Sequence, residues 1–331
     1  MYKAGIIGCG KIGSEFAEDP RIKDISTHAG AYVQCADTEL VAVCDSEPEK
    51  SEKCKDRWKV PVSYTDYKKM LSECDLDIVS VCTPDLTHFD IVNAILTSYE
   101  VKAIFAEKPL ALSFKDAENL ANLAKKKGVV LAVNYSRRYS DKYYQIKKFL
   151  HSDAFGSIQT INGYYTKGTL HNGTHWFDLA RFLIGEVSRV KGFDTRKETV
   201  PDPTYDMYAE FIDGPNAYLH ACDTTKYSIF EMDILGSNSR VYFKDSGRII
   251  EIFRVKESPY YSGSLYPSEI ITDALKDNLL HAVEDLVKCL QTGKEPLCSA
   301  YDGVAAIKVA HALVSSVASG NFVELGTRYG N

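Results

Sequence analysis

The sequence predicts a chain in two parts: an α/β half with a doubly wound parallel sheet, then an α+β half built on an open, mainly antiparallel sheet. Three observations lead there. Short, almost wholly apolar runs alternate with helix-like segments as far as about Tyr135, and a glycine-rich turn directly follows the first run. Beyond that point most runs alternate polar and apolar residues between Gly, Pro and Asn turns. Continuous apolar strands belong to parallel sheets covered on both faces, whereas alternation marks a sheet with one solvated or partner-covered face. At 331 residues the chain also exceeds what one hydrophobic core usually organises, so two domains are the default.

Taken in order, the apolar runs place strands over 2–8, 39–45, 77–82, 102–106 and 129–133. Helices are expected over 47–58, 65–72, 86–98 and 113–127. The last opens on Ser113-Phe114-Lys115-Asp116, a capping-box-like start, and ends at Gly128. Lys125-Lys126-Lys127 then lies in its final turn, where cations complement the helix dipole. In the second half, alternating strands are expected over 207–212, 217–223 and 248–255, with Asp213-Gly214-Pro215-Asn216 and Gly236-Ser237-Asn238 as turns. Two helices close the chain, over 268–292 and 300–318, with Gly293 and Gly320 beyond their ends. The domains divide as 1–133 and 134–331.

Composition narrows the function. A net charge of −6, with no basic run beyond the lysine triplet, argues against a nucleic-acid face. No stretch approaches the ~20 apolar residues of a membrane helix, and the first residues enter a strand with no export leader. A cytoplasmic protein is expected. The nine cysteines contain no C-x-x-C pair, and Cys44, Cys82 and Cys222 lie in apolar runs. They read as reduced thiols packed as small hydrophobes, neither a disulfide scaffold nor a zinc site.

Gly8-Cys9-Gly10-Lys11-Ile12-Gly13 follows the first strand and is expected to open a helix. That spacing serves a tight turn, close approach of backbone to a pyrophosphate, and close helix–strand packing. In this context it reads as the phosphate turn of a Rossmann domain. Asp45 ends the second strand, where a carboxylate accepts from the adenosine ribose hydroxyls and disfavours a 2′-phosphate. NAD is therefore favoured over NADP. A simple cap before Glu47-Pro48 is the alternative for Asp45, and the two roles do not exclude each other. It lies further from the glycines than the usual ~20 residues, because the 19–32 segment enlarges the first crossover.

Thr83-Pro84, with His88 beyond, and Glu107-Lys108-Pro109 end the third and fourth strands. Ligands bind at such carboxyl ends in open α/β sheets. A Lys held between a buried strand and a Pro points into the cleft or toward a structural carboxylate. His171-Asn172-Gly173-Thr174-His175-Trp176-Phe177-Asp178 is the richest cluster elsewhere. If a helix has begun there, His171 and His175 share a face, with Asp178 one turn on. No Glu lies between the two His and no nearby acid completes a metal site, so no metal is expected. A general base for alcohol oxidation is the better use of such a His; capping or packing is the plain alternative. His28, His151, His220, His281 and His311 lack such company. Arg137-Arg138-Tyr139, just after Asn134, suits a diphosphate or sugar oxygens, or forms a solvated helix start.

These pieces resemble the glucose–fructose oxidoreductase/inositol dehydrogenase (Gfo/Idh/MocA) family over nearly the whole chain. The resemblance rests on the glycine turn, Ser80-Val81-Cys82-Thr83-Pro84 with His88, Glu107-Lys108-Pro109, His175 with Asp178, and the helix from Tyr301-Asp302-Gly303 to Ser319-Gly320. It implies a dinucleotide domain joined to an open sheet domain that often pairs subunits, hence a homo-oligomer, dimer or tetramer. It implies Lys108 and His175 as catalytic residues on either side of the nicotinamide. Cofactor contacts are expected from Gly8, Cys9, Gly10, Lys11, Ile12, Gly13, Asp45, Thr83, Pro84, His88, Glu107 and Lys108. Substrate contacts are expected from Asn134, Arg138, Tyr139, His171, Asn172 and His175.

The implied reaction moves a hydride between the nicotinamide and a secondary hydroxyl or keto carbon of a sugar or nucleotide-sugar. His175 takes the hydroxyl proton, and Lys108 hydrogen-bonds the reacting oxygen. Many family members carry Asp where this chain has His171, so the orienting negative charge is missing. In that respect the His171–His175 run looks more like the branches of nucleotide-sugar and surface-polysaccharide metabolism. Two other readings stay open: a non-catalytic sensor of NAD and sugar, and an NAD-dependent glycosidase on the same fold.

Overall fold

A computed structural model of the chain describes residues 1–326. They form two compact units, Met1–Tyr139 with Lys276–Val304, and Ser140–Leu275 with the residues from Ala305 on. In the first, strands β1 (Tyr2–Ile7), β2 (Thr38–Cys44), β3 (Val62–Tyr64), β4 (Ile78–Val81), β5 (Ala103–Ala106) and β6 (Val130–Val133) make one sheet ordered β3-β2-β1-β4-β5-β6. Every pairing in it is parallel. Strands β4 and β5 are buried at every position, as their unbroken apolar runs require. Helices α1 (His28–Gln34), α2 (Pro48–Trp58), α3 (Tyr67–Glu73), α4 (His88–Ser98) and α5 (Phe114–Lys127) connect the strands. The ends of α5 are as the sequence predicts: the Ser113 side chain accepts from the Asp116 N–H, and Gly128 turns left-handed at φ 68°. The sheet reverses its order between β1 and β4, so the turns after these strands meet at the switch point where such folds bind ligands.

The second unit holds β7 (Ile158–Tyr165), β8 (Val187–Phe193), β9 (Asp206–Phe211), β10 (Asn216–Ala221), β11 (Phe230–Gly236), β12 (Ser239–Lys244), β13 (Ile249–Lys256), β14 (Ser264–Ile271) and β15 (Val323–Glu324). They form one sheet ordered β14-β13-β12-β11-β7-β10-β9-β8-β15. Only the β7–β10 pair is parallel; the others are antiparallel, as alternation predicted. Helices α6 (Asp141–Leu150) and α7 (Thr174–Leu183) follow in the chain, then α8 (Asn278–Thr292) of the first unit, then α9 (Ala300–Ser319). Residues of α6, α7 and α9 share one core with alternate strand residues, centred on Trp176, Phe177, Tyr165, Phe243 and Leu313. No helix among the described residues is long and apolar enough to cross a membrane.

The structure corrects the sequence reading in four places. The glycine turn opens no continuous helix. It leads into a 3₁₀ stretch at Glu15–Glu18, and α1 begins only at His28, where Thr27 caps it. The inserted loop divides the crossover helix, and α1 docks back by donating the His28 and Ala29 N–H groups to the Ile12 and Gly13 carbonyls, each at 3.0 Å. Strand β3 is too short to carry a period. The 268–292 segment is not one helix, because 268–271 pairs with β13 as part of β14. Finally, α8 packs on α1 and on β5 and β6, and the Asp277 carboxylate accepts from the Ile25 N–H at 2.8 Å. The stretch Lys276–Val304 therefore belongs with the first unit, not with the 134–331 division; chain order alone hides this.

Candidate active site

Around the glycine turn, each residue type has a steric cause. Gly8 has φ 98°, and a Cβ there would lie 2.6 Å from the Cys82 carbonyl carbon. A Cβ on Gly13 would lie 2.1 Å from the Gly8 oxygen. Only glycine permits both close approaches, the first between the ends of β1 and β4 and the second within the turn. Gly10 faces open space, with nothing within 4 Å of a built Cβ. Among the described residues, the N–H groups of Gly10, Lys11, Ile12 and Gly13 donate to no protein acceptor. An open backbone edge with several undonated amides is the cradle a pyrophosphate needs, so these residues fit a dinucleotide.

Asp45 reaches back to this turn: its Oδ2 accepts from the Cys9 N–H at 2.8 Å, and its Oδ1 from the Glu47 N–H at 3.0 Å. The second bond is the capping-type role; the first braces the turn itself. The Cys9 thiol is held far above its ordinary pKa, first by its contact with the Cys54 thiol and then by burial, so it stays protonated. All nine cysteines are free.

His88 is fully buried, and its ring nitrogens lie 2.7 Å from the carbonyl oxygens of Pro109 and Thr83. It clamps together the turns after β4 and β5. Both ring nitrogens thus face backbone oxygens of these turns. Thr83 is half-buried and its hydroxyl accepts from Thr87 at 2.8 Å, while Pro84 is exposed.

Glu107 and Lys108 emerge from β5, and the Lys108–Pro109 peptide is cis. Lys108 is half-buried, whereas Glu107 is nearly sealed. The Glu107 Oε1 accepts from the Asn134 amide at 2.6 Å and lies 2.9 Å from His28 Nε2. Burial works to raise its carboxyl, but His28 first, then the Asn134 amide and the Lys108 charge, bring it below the ordinary glutamate value. Arg138 and Tyr139 are also buried, so the solvated helix start is excluded. Arg138 lies 3.1 Å from Asp302, and the Tyr139 hydroxyl donates to the Val133 carbonyl at 3.2 Å.

Sequence reasoning passed over His28. It is wholly buried, with Nδ1 2.9 Å from the Ser80 hydroxyl, which in turn lies 2.8 Å from the Tyr32 hydroxyl. Its partner Glu107 is 79 residues away, beyond the reach of any local pattern.

In the second unit, the segment carrying His171, Asn172 and His175 is not a single α-helix. A left-handed Lys167 leads into a π-helical turn, Gly168–Gly173, and α7 begins at Thr174. His171 therefore lies in the π-helical turn that precedes the helix, and His175 in the first turn of α7. Another overlooked residue sets this turn: Asp202 accepts from the Leu170 and His171 N–H groups at 2.9 and 2.8 Å. Thr204 accepts from the Gly168 N–H at 3.0 Å, and the Asn172 amide donates to the Thr166 carbonyl at 2.8 Å. His175 is half-buried beside Phe230, its ring centroid 6.3 Å away, while His171 is exposed. Asp178 is buried, with Arg181 at 3.9 Å. Among the described residues no group of three or more His, Cys, Asp or Glu is arranged to hold a metal.

Two family models match this chain. Residues 2–135 match the oxidoreductase family's NAD-binding Rossmann fold, and residues 163–325 its C-terminal alpha/beta domain. The chain belongs to the Gfo/Idh/MocA oxidoreductase family. Among relatives of this family member, myo-inositol 2-dehydrogenase of Thermotoga maritima is 22% identical, with 98% of each chain covered. Inositol 2-dehydrogenase of Salmonella typhimurium is 25% identical, again with 98% of each covered. Among solved structures, levoglucosan dehydrogenase in complex with NADH superimposes with a TM-score of 0.82 at 18% identity, covering 99% of this chain and all of that one. That likeness is one of fold. With the open glycine turn, the family match makes the first unit an NAD-binding domain.

Proposed function

We propose that this protein is an NAD-dependent dehydrogenase acting on a secondary hydroxyl of a cyclic polyol or sugar, with Lys108 and His175 at the reacting oxygen. The observation that carries the reading is Lys108 itself. It leaves the carboxyl end of β5 beside Glu107, whose carboxylate is pinned by His28 and Asn134, so its backbone is fixed at the ligand-binding edge of the sheet. The relatives named for inositol and levoglucosan support a hydroxylated ring as substrate, and nucleotide-linked sugars belong in the same test.

When bound, the nicotinamide supplies a hydride acceptor. The amides of Gly10–Gly13 hold its pyrophosphate, and Asp45, with Cys9 braced against it, faces the adenosine ribose and disfavours an NADP phosphate. Lys108 donates to the substrate oxygen and stabilises the alkoxide charge that develops there. His175 takes the hydroxyl proton. Asn134, Arg138, Tyr139, His171 and Asn172 orient the ring. Tyr164 and Tyr218, on the sheet face opposite Tyr165 and Leu219, are well exposed and support a homo-oligomer.

The test is absorbance screening for NADH formation across inositols, free sugars and UDP-, GDP- and CMP-linked sugars, with Lys108→Ala beside the wild type. Turnover on one class, lowered about 10²–10³-fold in the variant with NADH binding retained, is expected. Equal turnover by the variant refutes the role of Lys108. Tight NAD binding without turnover on any compound would make the protein a sensor instead.

A further inference from the structure

We propose that His28 is a positioning residue: through Glu107 it locks the Asn134 side chain so that its carbonyl, not its amine, meets the ligand and selects a group that donates a hydrogen bond. The claim rests on Asn134 being a ligand contact, but not on which substrate is oxidised.

Donors and acceptors pair off along one buried chain. Tyr32, Ser80, His28 and Asn134 are each buried, and Glu107 nearly so. Burial keeps the Tyr32 phenol far above its ordinary pKa, so it retains its proton. Its hydroxyl has one partner, Ser80 at 2.8 Å, and a buried donor left unused is costly, so it donates there. Ser80 then has its own proton to give, and His28 Nδ1 lies at 2.9 Å. That leaves the proton of His28 on Nε2, pointed at Glu107 Oε1 at 2.9 Å. An ionised carboxylate only accepts, and Glu107 lies below its ordinary value. Asn134 must therefore turn its amine toward Glu107, and does so at 2.6 Å. Its Oδ1 is left as a buried acceptor with no partner.

An unfilled acceptor sits at the carboxyl end of β6, on the sheet edge that carries the glycine turn. It calls for an N–H or O–H from a bound ligand: the nicotinamide carboxamide or a substrate hydroxyl. His28 also reaches the dinucleotide turn, since its own N–H donates to the Ile12 carbonyl at 3.0 Å. One residue thus ties the phosphate turn to the segment bearing Lys108.

Glu107→Leu tests this, because it removes the one oxygen, Oε1, that meets both His28 and Asn134 and so frees the amide to turn, whereas the carbonyl of Glu107→Gln can keep that place. NADH binding is measured by fluorescence for the wild type, Glu107→Leu, Glu107→Gln, His28→Leu and His28→Gln. It is compared with the reduced 3-acetylpyridine analogue, which lacks the carboxamide N–H. KM is measured for any polyol found in the screen. Glu107→Leu is expected to lose about tenfold, the worth of one hydrogen bond, and Glu107→Gln to retain the wild-type value. If the carboxamide is the donor, the loss falls on NADH but not on the analogue. If the substrate is the donor, it falls on KM with NADH affinity intact. His28→Leu should move the same quantity in the same direction, and His28→Gln, which keeps a donor, should restore most of it. Both leucine variants lowering Tm while leaving all these values within about twofold overturns the proposal. Should no compound be turned over, the dehydrogenase reading fails separately. The NADH comparison then decides alone, an unchanged result again overturning the proposal.

Discussion

The edge of the parallel sheet and the His171–His175 segment are both held by hydrogen bonds, but of different kinds. At the sheet edge, side chains bond side chains in a buried chain from Tyr32 to Asn134, and steric limits fix the glycines. In the second unit a single carboxylate, Asp202, grips the backbone of a π-helical turn while His171 stays exposed. The first arrangement is rigid because misplacing any member strands a buried polar group. The second is held through its backbone, by Asp202 with Thr204 and Asn172, so His171 can be exchanged while the turn persists.

The sharpest way to break this contrast is Gly13→Ala. With a Cβ 2.1 Å from the Gly8 oxygen, the turn must rebuild, costing about 3 kcal/mol of stability and dinucleotide binding with it. Thermal unfolding and NADH titration read both; an alanine variant of native Tm that binds NADH would show the turn to be pliant. Next in size is Asp202→Ala. Removing an acceptor of two backbone N–H groups should lower kcat/KM about tenfold while leaving NADH affinity unchanged. A parallel loss of NADH affinity would mean that the two regions are not independent.

The smallest effect separates the regions by pH. The Glu107 carboxyl is held below its ordinary value, so the fold favours its ionised form. Its stabilisation is complete above the unfolded glutamate value of ~4.3 and is lost as pH falls through the lower folded value. The Tm of the wild type should therefore drop below pH ~4 more steeply than that of Glu107→Gln. Identical acid profiles would show that Glu107 carries no folded-state preference.

What could be read from the sequence follows the same line. Glycine turns, apolar strands and the Ser113 and Gly128 caps are dictated by neighbours in the chain, and they emerged from it with boundaries close to those observed. His28 and Asp202 act on partners 79 and 31 residues away, and nothing in their own surroundings announces it. The loop ahead of His28 hid it further by displacing α1 from the glycine turn. His88 was recognisable as part of a motif, but its role was not, since only the fold brings both ring nitrogens to carbonyls. The π-helical turn at Gly168–Gly173 has the composition of an ordinary helix start, so nothing in the sequence announced that the α-helix begins only at Thr174.

The membership of α8 has a consequence for synthesis. The Rossmann unit is discontinuous: the strands are complete by Val133, but α8 and the Asp277 contact to Ile25 arrive only after Ser140–Leu275 has been made. On the ribosome, where chains generally fold from the N-terminus as they emerge, the nucleotide-binding half waits, with α1 lacking its packing partner, until the inserted half has left the exit tunnel. A gene truncated after Tyr139 encodes every strand of that sheet and still lacks a piece of its fold.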